Sequence, residues 1–95
     1  MKFVQLVEFS TSRVDELKQL AQEAPQPSQG SVRGLVCADR DNAGRYVVVA
    51  EFPSYEEAME NSQRPEVGEF AKRMAELCDG PPTYRNLDVV EDITR

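Results

Sequence analysis

The polar side chains that could do chemistry in this sequence are scattered along the chain rather than gathered in a compact motif. Arg33 and Arg85 fall in segments predicted to be strands, where a guanidinium could clamp an anionic substrate or stabilise an enolate. A salt bridge with an acid such as Glu51 is the competing interpretation. Asn61 could orient a substrate hydroxyl, or it could simply end a helix. Gln5 could face a ligand, or it could be a satisfied amide in the core or in a dimer interface.

Two tyrosines, Tyr46 and Tyr84, could line a ligand pocket. Tyrosine is also common at half-buried strand positions, where its ring packs and its hydroxyl stays wet. Asn61, Arg33 and Arg85 are therefore the candidate catalytic residues, and Gln5, Tyr46 and Tyr84 are candidate ligand-binding residues.

Several classes of site are excluded by composition. The chain has no His and no Trp, so a Ser-His-Asp triad, a His-containing zinc site and His haem ligation are all ruled out. No Gly-rich phosphate loop, metal-ligand cluster or nucleophile elbow occurs, and we expect no cofactor and no metal. Cys37 and Cys78 are far apart in the sequence, which indicates buried free thiols rather than a disulfide framework.

Charge and length bound the partners. Seventeen acids against eleven Lys and Arg give a net charge of −6, which argues against a nucleic-acid partner or an anionic membrane surface. No apolar run approaches the roughly 20 residues of a membrane helix, and the first residues do not resemble a signal peptide. We therefore expect one domain over residues 1–95 in the cytoplasm.

The elements that must position these side chains follow from periodicity and turn residues. Alternation and β-branched residues predict strands, apolar spacing of three and four predicts helices, and prolines mark the loop over 24–31. Ser12 with Asp15 and Ser54 with Glu57 are predicted to cap the first two helices, and Gly80 is predicted to cap the last one. The predicted strands are 2–9, 32–38, 45–52 and 83–90, and the helices are 13–24, 54–61 and a third that starts at Pro65.

The order β-α-β-β-α-β, with the second helix split, predicts an α+β fold of the ferredoxin-like type. This is a four-stranded antiparallel sheet with its helices on one face. The first strand is apolar on both faces, so the uncovered face needs a partner. A second copy of the chain, packed sheet against sheet, would close a homodimeric α/β barrel.

One part of the sequence resembles a known family. The stretch 48–58 (VVAEFPSYEEA), Asn61, the stretch 64–66 (RPE) and Phe70 resemble the dimeric α/β-barrel superfamily, and most closely its antibiotic-biosynthesis-monooxygenase-like proteins. The family pattern is a strand ending in Glu-Trp, a capped helix with a His, and a helix that begins with Pro. In this sequence Phe52 stands at the Trp position and Asn61 at the His position.

The resemblance implies a homodimer that binds a small apolar or phenolic ligand without a cofactor, with Phe52 among the residues that line its pocket. Haem-degrading members need a His and are excluded. Quinone-forming members work without a cofactor and use Asn, Trp or Arg side chains, for which Asn61, Asn86 and the arginines are available here. The implied function is small-molecule binding, with cofactor-independent oxygenation or isomerisation of a phenolic or polyketide-like substrate. The alternative is a dimeric ligand-binding, regulatory or assembly module without catalysis.

Overall fold

The computed structural model describes residues 2–24 and 33–93, and within them it has the predicted α+β order with the second helical segment split in two. The predicted loop over 24–31 lies outside the described residues except for Ala24. The elements are β1 (Phe3–Ser10), α1 (Val14–Gln22), β2 (Arg33–Ala38), β3 (Arg45–Phe52), α2 (Tyr55–Ser62), α3 (Pro65–Glu76) and β4 (Thr83–Asp88).

The four strands form one antiparallel sheet in the order β2-β3-β1-β4. The register pairs Gln5 with Ala50 of β3 on one side and with Asn86 of β4 on the other. Arg33 of β2 pairs with Glu51 of β3. This topology confirms the ferredoxin-like prediction.

The helices pack on one face of the sheet. The core lies between the helices and the sheet and consists of two clusters. The first cluster contains Phe3, Phe52 and Ala58, so it joins β1 and β3 to α2. The second contains Val7, Phe9 and Leu17, so it joins β1 to α1, with Met74, Leu77 and Cys78 packed against it. Alternate residues of each strand share a face, so the odd positions of β1 and the even positions of β3 and β4 point toward the helices.

The opposite side of the sheet, which we call the open face, has no helix over it. Its apolar residues span all four strands, and Leu35 and Leu87 are 43% and 37% exposed. An apolar sheet face left to water is unfavourable, and about 25 cal/mol is gained for each Å² that becomes covered. The apolar residues of the open face are Val4, Leu6, Leu35, Cys37, Val47, Val49 and Leu87.

The start of α1 differs from the prediction. Ser12 does not cap the helix, and Arg13 is the cap residue without a side-chain hydrogen bond. Thr11 takes the local role instead: its hydroxyl oxygen accepts from the Arg13 N–H at 3.0 Å and donates to the Leu77 carbonyl at 2.6 Å. Ser12 Oγ lies 3.5 Å from Asp79 Oδ1. Thr11 is 3% exposed, so a long-range contact decides how this helix begins.

The end of α3 also differs. The helix stops at Glu76 with Leu77 in right-handed backbone, and Gly80 does not adopt the positive φ of a glycine cap. Gly44 is the residue with positive φ in the described chain, at 86°, and it lies in the turn that joins β2 to β3. The glycine requirement therefore belongs to the hairpin and not to the helix end.

The two cysteines are free, as predicted, but Cys37 is exposed rather than buried. It lies on the open face of β2, an edge strand without a helix above it, so a single chain cannot cover it. Cys78 is half-buried, and its Sγ donates to the Met74 carbonyl at 3.3 Å. Burial, and then the nearby Asp79 charge, raise the pKa of the Cys78 thiol.

Candidate functional site

Gln5 is a part-buried polar residue between the two core clusters. It lies on β1, an inner strand, and on the face that the helices cover. Its neighbours on that face, Phe3 and Val7, are 2% and 8% exposed, whereas Gln5 itself is only part-buried. One core cluster therefore lies on each side of Gln5, and the helices cover Gln5 itself only in part.

A row of small and amide side chains crosses the sheet at this level. Gly34, Ala50, Gln5 and Asn86 lie side by side on the four strands. Gln5 Nε2 donates to Asn86 Oδ1 at 3.1 Å, so the two amides hold each other. At Gly34 a side-chain carbon would meet no atom within 4 Å, which shows open space above that strand. We call the helix-facing side of this row, from the open space at Gly34 to the amide pair, the candidate cleft.

Helix α2 packs on the sheet beside this row. Ala58 is buried against Phe3 and Phe52, and Met59 and Ala50 pack against the same cluster. Because Ala50 is the register partner of Gln5, the helix lies one strand away from the amide pair. The helix begins after Ser54, whose Oγ accepts a hydrogen bond from the Glu57 N–H at 3.2 Å. This is the bond from the helix backbone to the Ser54 side chain that the sequence predicts.

The polar flank of α2 continues into the turn before α3. Arg64 Nη1 donates to Asn61 Oδ1 at 3.0 Å, and Arg64 Nε lies 3.0 Å from Glu66 Oε1. Asn61 and Arg64 are part-buried, and the Arg64 side chain is 25% exposed. Because the Arg64 guanidinium contacts both Glu66 and Asn61, it fixes the orientation of the Asn61 amide and therefore of its Nδ2 donor.

The three predicted aromatic residues share the helix-facing side with Gln5, but their surroundings differ. Phe52 is buried at 9% exposure, and its ring centroid is 6.4 Å from that of Phe3. Tyr46 stacks on Phe9 with centroids 5.8 Å apart. Tyr84 is 53% exposed on the edge strand β4, so its ring is open to a ligand.

The two predicted arginines lie on the open face, across the sheet from Gln5. Arg33 Nε is 3.9 Å from Glu51 Oε2, so Arg33 has the salt bridge that was its simpler interpretation, although its side chain is 72% exposed. Arg85 is the register partner of Leu6 and makes no ion pair within residues 2–24 and 33–93. Within one chain, the structure separates the arginines from the amide pair.

Two groups near Asn61 were not among the predicted site residues. Arg64 comes directly before Pro65, and its link to Asn61 depends on how the turn folds. Glu57 lies four positions before Asn61 in the predicted helix, a spacing that places both on one side of it. That spacing was the available signal for Glu57.

The described residues contain no group of three or more His, Cys, Asp or Glu side chains placed to hold a metal ion. No helix in the same ranges is long and apolar enough to cross a membrane.

Comparison with known proteins gives a fold and no sequence family. No family model and no curated protein matches the sequence. Among solved structures, Rv0793 from Mycobacterium tuberculosis matches with a TM-score of 0.79 at 15% identity, over 99% of this chain and 100% of that one. A Caulobacter crescentus protein named as an antibiotic biosynthesis monooxygenase matches at 0.80 and 12% identity, over 95% and 91%.

A third match is SnoaB, a cofactor-independent oxygenase from Streptomyces nogalater, solved as an asparagine-to-alanine variant. Its TM-score is 0.78 at 14% identity, over 99% of this chain and 98% of that one. The chain thus has the ferredoxin-like fold of the antibiotic-biosynthesis-monooxygenase-like proteins, over nearly its full length.

Proposed function

We propose that the protein binds a small phenolic or polyketide-like molecule in the cleft above Gln5 and oxidises it with O2 without a cofactor. The observation that carries the proposal is the hydrogen-bonded amide pair of part-buried Gln5 and exposed Asn86 on the face of the sheet that carries the helices. The match to SnoaB, a cofactor-independent oxygenase of the same fold, supports the choice of reaction. An isomerase would use the same groups, because both reactions begin by removing a proton from a carbon whose anion is conjugated with a carbonyl.

The residues have distinct tasks in this proposal. The amides of Gln5 and Asn86 hydrogen-bond a carbonyl or hydroxyl of the ligand, and the exposed Tyr84 ring covers its aromatic surface. Asn61 donates from Nδ2 to the substrate oxygen on which negative charge develops. Arg33 and Arg85 contribute only if their face of the sheet reaches the ligand through a second subunit.

The proposal includes a homodimer formed through the open face. The apolar residues of that face extend over all four strands and leave Leu35 and Leu87 exposed in a single chain. A second copy would cover them and close the barrel that the sequence predicts. A cytoplasmic location, where thiols stay reduced, fits the two free cysteines.

The reaction is tested with dithranol, an anthrone, in aerated buffer. Removal of two hydrogens from its methylene carbon and uptake of one oxygen atom gives the quinone, and the second oxygen atom leaves as water. We expect protein-dependent quinone formation that stops under nitrogen and persists with a chelator. Asn61→Ala should lose most of the rate, whereas Gln63→Ala, which removes an exposed amide from the end of the same helix, should keep it. No rate above dithranol autoxidation would contradict the proposal.

A second candidate function is ligand binding without catalysis, and the lack of any His or Trp in the chain favours it. The same cleft would then hold a molecule that leaves unchanged. Native mass spectrometry after incubation with dithranol separates the two functions. Recovery of intact dithranol as an adduct indicates binding alone, and recovery of the quinone indicates oxygenation.

A further inference from the structure

Glu57 carries a carboxylate oxygen that is both buried and without a partner. The side-chain atom Oε2 is shielded from solvent and accepts no hydrogen bond from the part of the chain that the structure describes. A carboxylate oxygen that is removed from water and left without a hydrogen bond is unfavourable unless something pairs with it. Among the side chains of residues 2–24 and 33–93, no other oxygen or nitrogen is buried and unpaired.

The local sequence offers Glu57 a partner that it does not use. Glu57 is the third helical residue after Ser54, the position from which a capping-box glutamate bonds back to the cap residue's N–H. Of the two hydrogen bonds of a capping box, the described residues have only the one from the Glu57 N–H to Ser54 Oγ. Glu56, the other acid in the first turn, is exposed to solvent. The capping role therefore does not account for the buried Oε2 of Glu57.

Glu57 and Asn61 are one helical turn apart, so their side chains start about 5–6 Å from each other on the same side of α2. Asn61 Oδ1 is taken by Arg64 Nη1, which leaves the Nδ2 hydrogens of Asn61 as donors. Glu57 supplies an acceptor. The Glu57 acceptor and the Asn61 donor could together bind a ligand that carries a hydroxyl group close to a second oxygen atom.

We propose that Glu57 accepts the proton that starts the reaction, while Asn61 stabilises the anion that remains. This role rests on the proposed oxygenase function. The chain has no His, so a carboxylate is the simplest remaining group for proton transfer. The Glu57 carboxylate takes a proton from the substrate and leaves an enolate. The enolate carbon bonds to O2, and the terminal peroxide oxygen takes the proton back from Glu57. The remaining hydrogen on that carbon is then lost as the O–O bond breaks, giving the carbonyl and one water.

The test compares Glu57→Gln with Glu56→Gln. Both variants remove one negative charge from the first turn of α2, so they change the helix end equally. Dithranol oxidation by Glu57→Gln should fall by about 10²–10⁴-fold, the usual contribution of a positioned acid–base group. Glu56→Gln should oxidise dithranol at the wild-type rate. Glu57→Asp, which keeps a carboxylate, should recover part of the activity.

A measurement without substrate accompanies the rates. If the buried, unpaired oxygen is retained for function, Glu57→Gln should unfold at a higher urea midpoint than Glu56→Gln, because an amide is easier to bury than a carboxylate. A lower midpoint, or failure to fold, would show that the carboxylate holds the structure and would overturn the proposal. Wild-type rates in Glu57→Gln would overturn the role of Glu57 and leave the oxygenase function standing. A wild-type protein that makes no quinone would overturn both the oxygenase function and the role of Glu57.

Discussion

Gln5 on β1 and Asn86 on β4 are register partners, and the Gln5 Nε2 donates to the Asn86 Oδ1 at 3.1 Å on the face of the sheet that the helices cover. The residues on either side of Gln5 on that face, Phe3 and Val7, are buried. Gln5 is therefore a part-buried amide between two apolar clusters, and its partner Asn86 is exposed on the edge strand β4. In the proposed function these two amides bind the polar atoms of the ligand.

Replacing Gln5 with Leu should separate ligand binding from stability. The loss of the Asn86 hydrogen bond, about 1 kcal/mol, is offset by the added apolar burial, so the free energy of unfolding should change by no more than about 1 kcal/mol. Dithranol oxidation should fall, because one of the two amides is gone. Urea unfolding and quinone formation measure the two effects. Thr83→Val, a polar-to-apolar change on the open face, should leave the rate unchanged. An equally active Gln5→Leu protein would count against the cleft.

Thr11 should prove more important to stability than Ser12. Its buried hydroxyl bonds both the Arg13 N–H and the Leu77 carbonyl, so Thr11→Val, which removes the hydroxyl but keeps the shape, should cost about 1–3 kcal/mol. Thr11→Ser keeps the hydroxyl and should cost less. Ser12→Ala should be nearly neutral, since its only described contact is a 3.5 Å approach to Asp79. Equal losses for Thr11→Val and Ser12→Ala would show that the cap is assigned to the wrong residue.

The sequence predicted most of the fold because local signals and tertiary structure agree there. The strand 45–52 was placed with its observed limits, since a run of β-branched and aromatic residues is bounded by Gly44 and Pro53. The cap of α1 was wrong because Ser12 satisfies a local pattern, while the residue that decides it, Thr11, depends on Leu77 far along the chain. Gly80 failed as a helix cap for a similar reason: the chain after α3 turns with ordinary backbone angles.

The candidate site could be predicted only in part. Alternation along β1 singled out Gln5, and alternation along β3 and β4 places Tyr46 and Tyr84 on the same side once the register is known. Nothing in a single sequence fixes that register, so the arginines could not be assigned to the opposite face beforehand. The buried oxygen of Glu57 is a property of three-dimensional packing and leaves no trace in composition.

Acid should weaken the β2–β3 hairpin through Asp39. Hydrogen bonds from the Asn42 side chain and the Asp41 N–H lower the pKa of the Asp39 carboxyl below its ordinary value of 3.8. A lowered folded-state pKa means that the contribution to stability is full above that ordinary value and is lost as the pH falls through the folded-state pKa. Asp39→Asn should therefore flatten the acid side of the stability curve. Urea unfolding of both proteins from neutral to acid pH checks this, with Asp41→Asn as the control. Parallel curves would contradict it.

Cys37 should report whether the open face is covered in solution. In a single chain Cys37 is exposed, while burial and the Asp79 charge raise the pKa of Cys78 and keep it protonated. Cys37 of a free monomer should thus react with iodoacetamide faster than Cys78. In the dimer the order should reverse, and Cys37 labelling should slow as protein concentration rises. Peptide mass spectrometry measures both sites. Fast labelling of Cys37 at every concentration would exclude a dimer through this face.

The most direct test of the central claim is to locate the ligand by NMR on ¹⁵N-labelled protein. The probe is danthron, the quinone that dithranol gives on oxidation, because it stays unchanged during the titration. The account predicts saturable chemical-shift changes in the side-chain amide signals of Gln5, Asn61 and Asn86. The backbone amide signals of Val47 and Val49, which lie on the open face, should not change as long as the protein remains a dimer throughout the titration. Shifts confined to open-face residues, or no shifts at all, would contradict a binding site between the sheet and the helices.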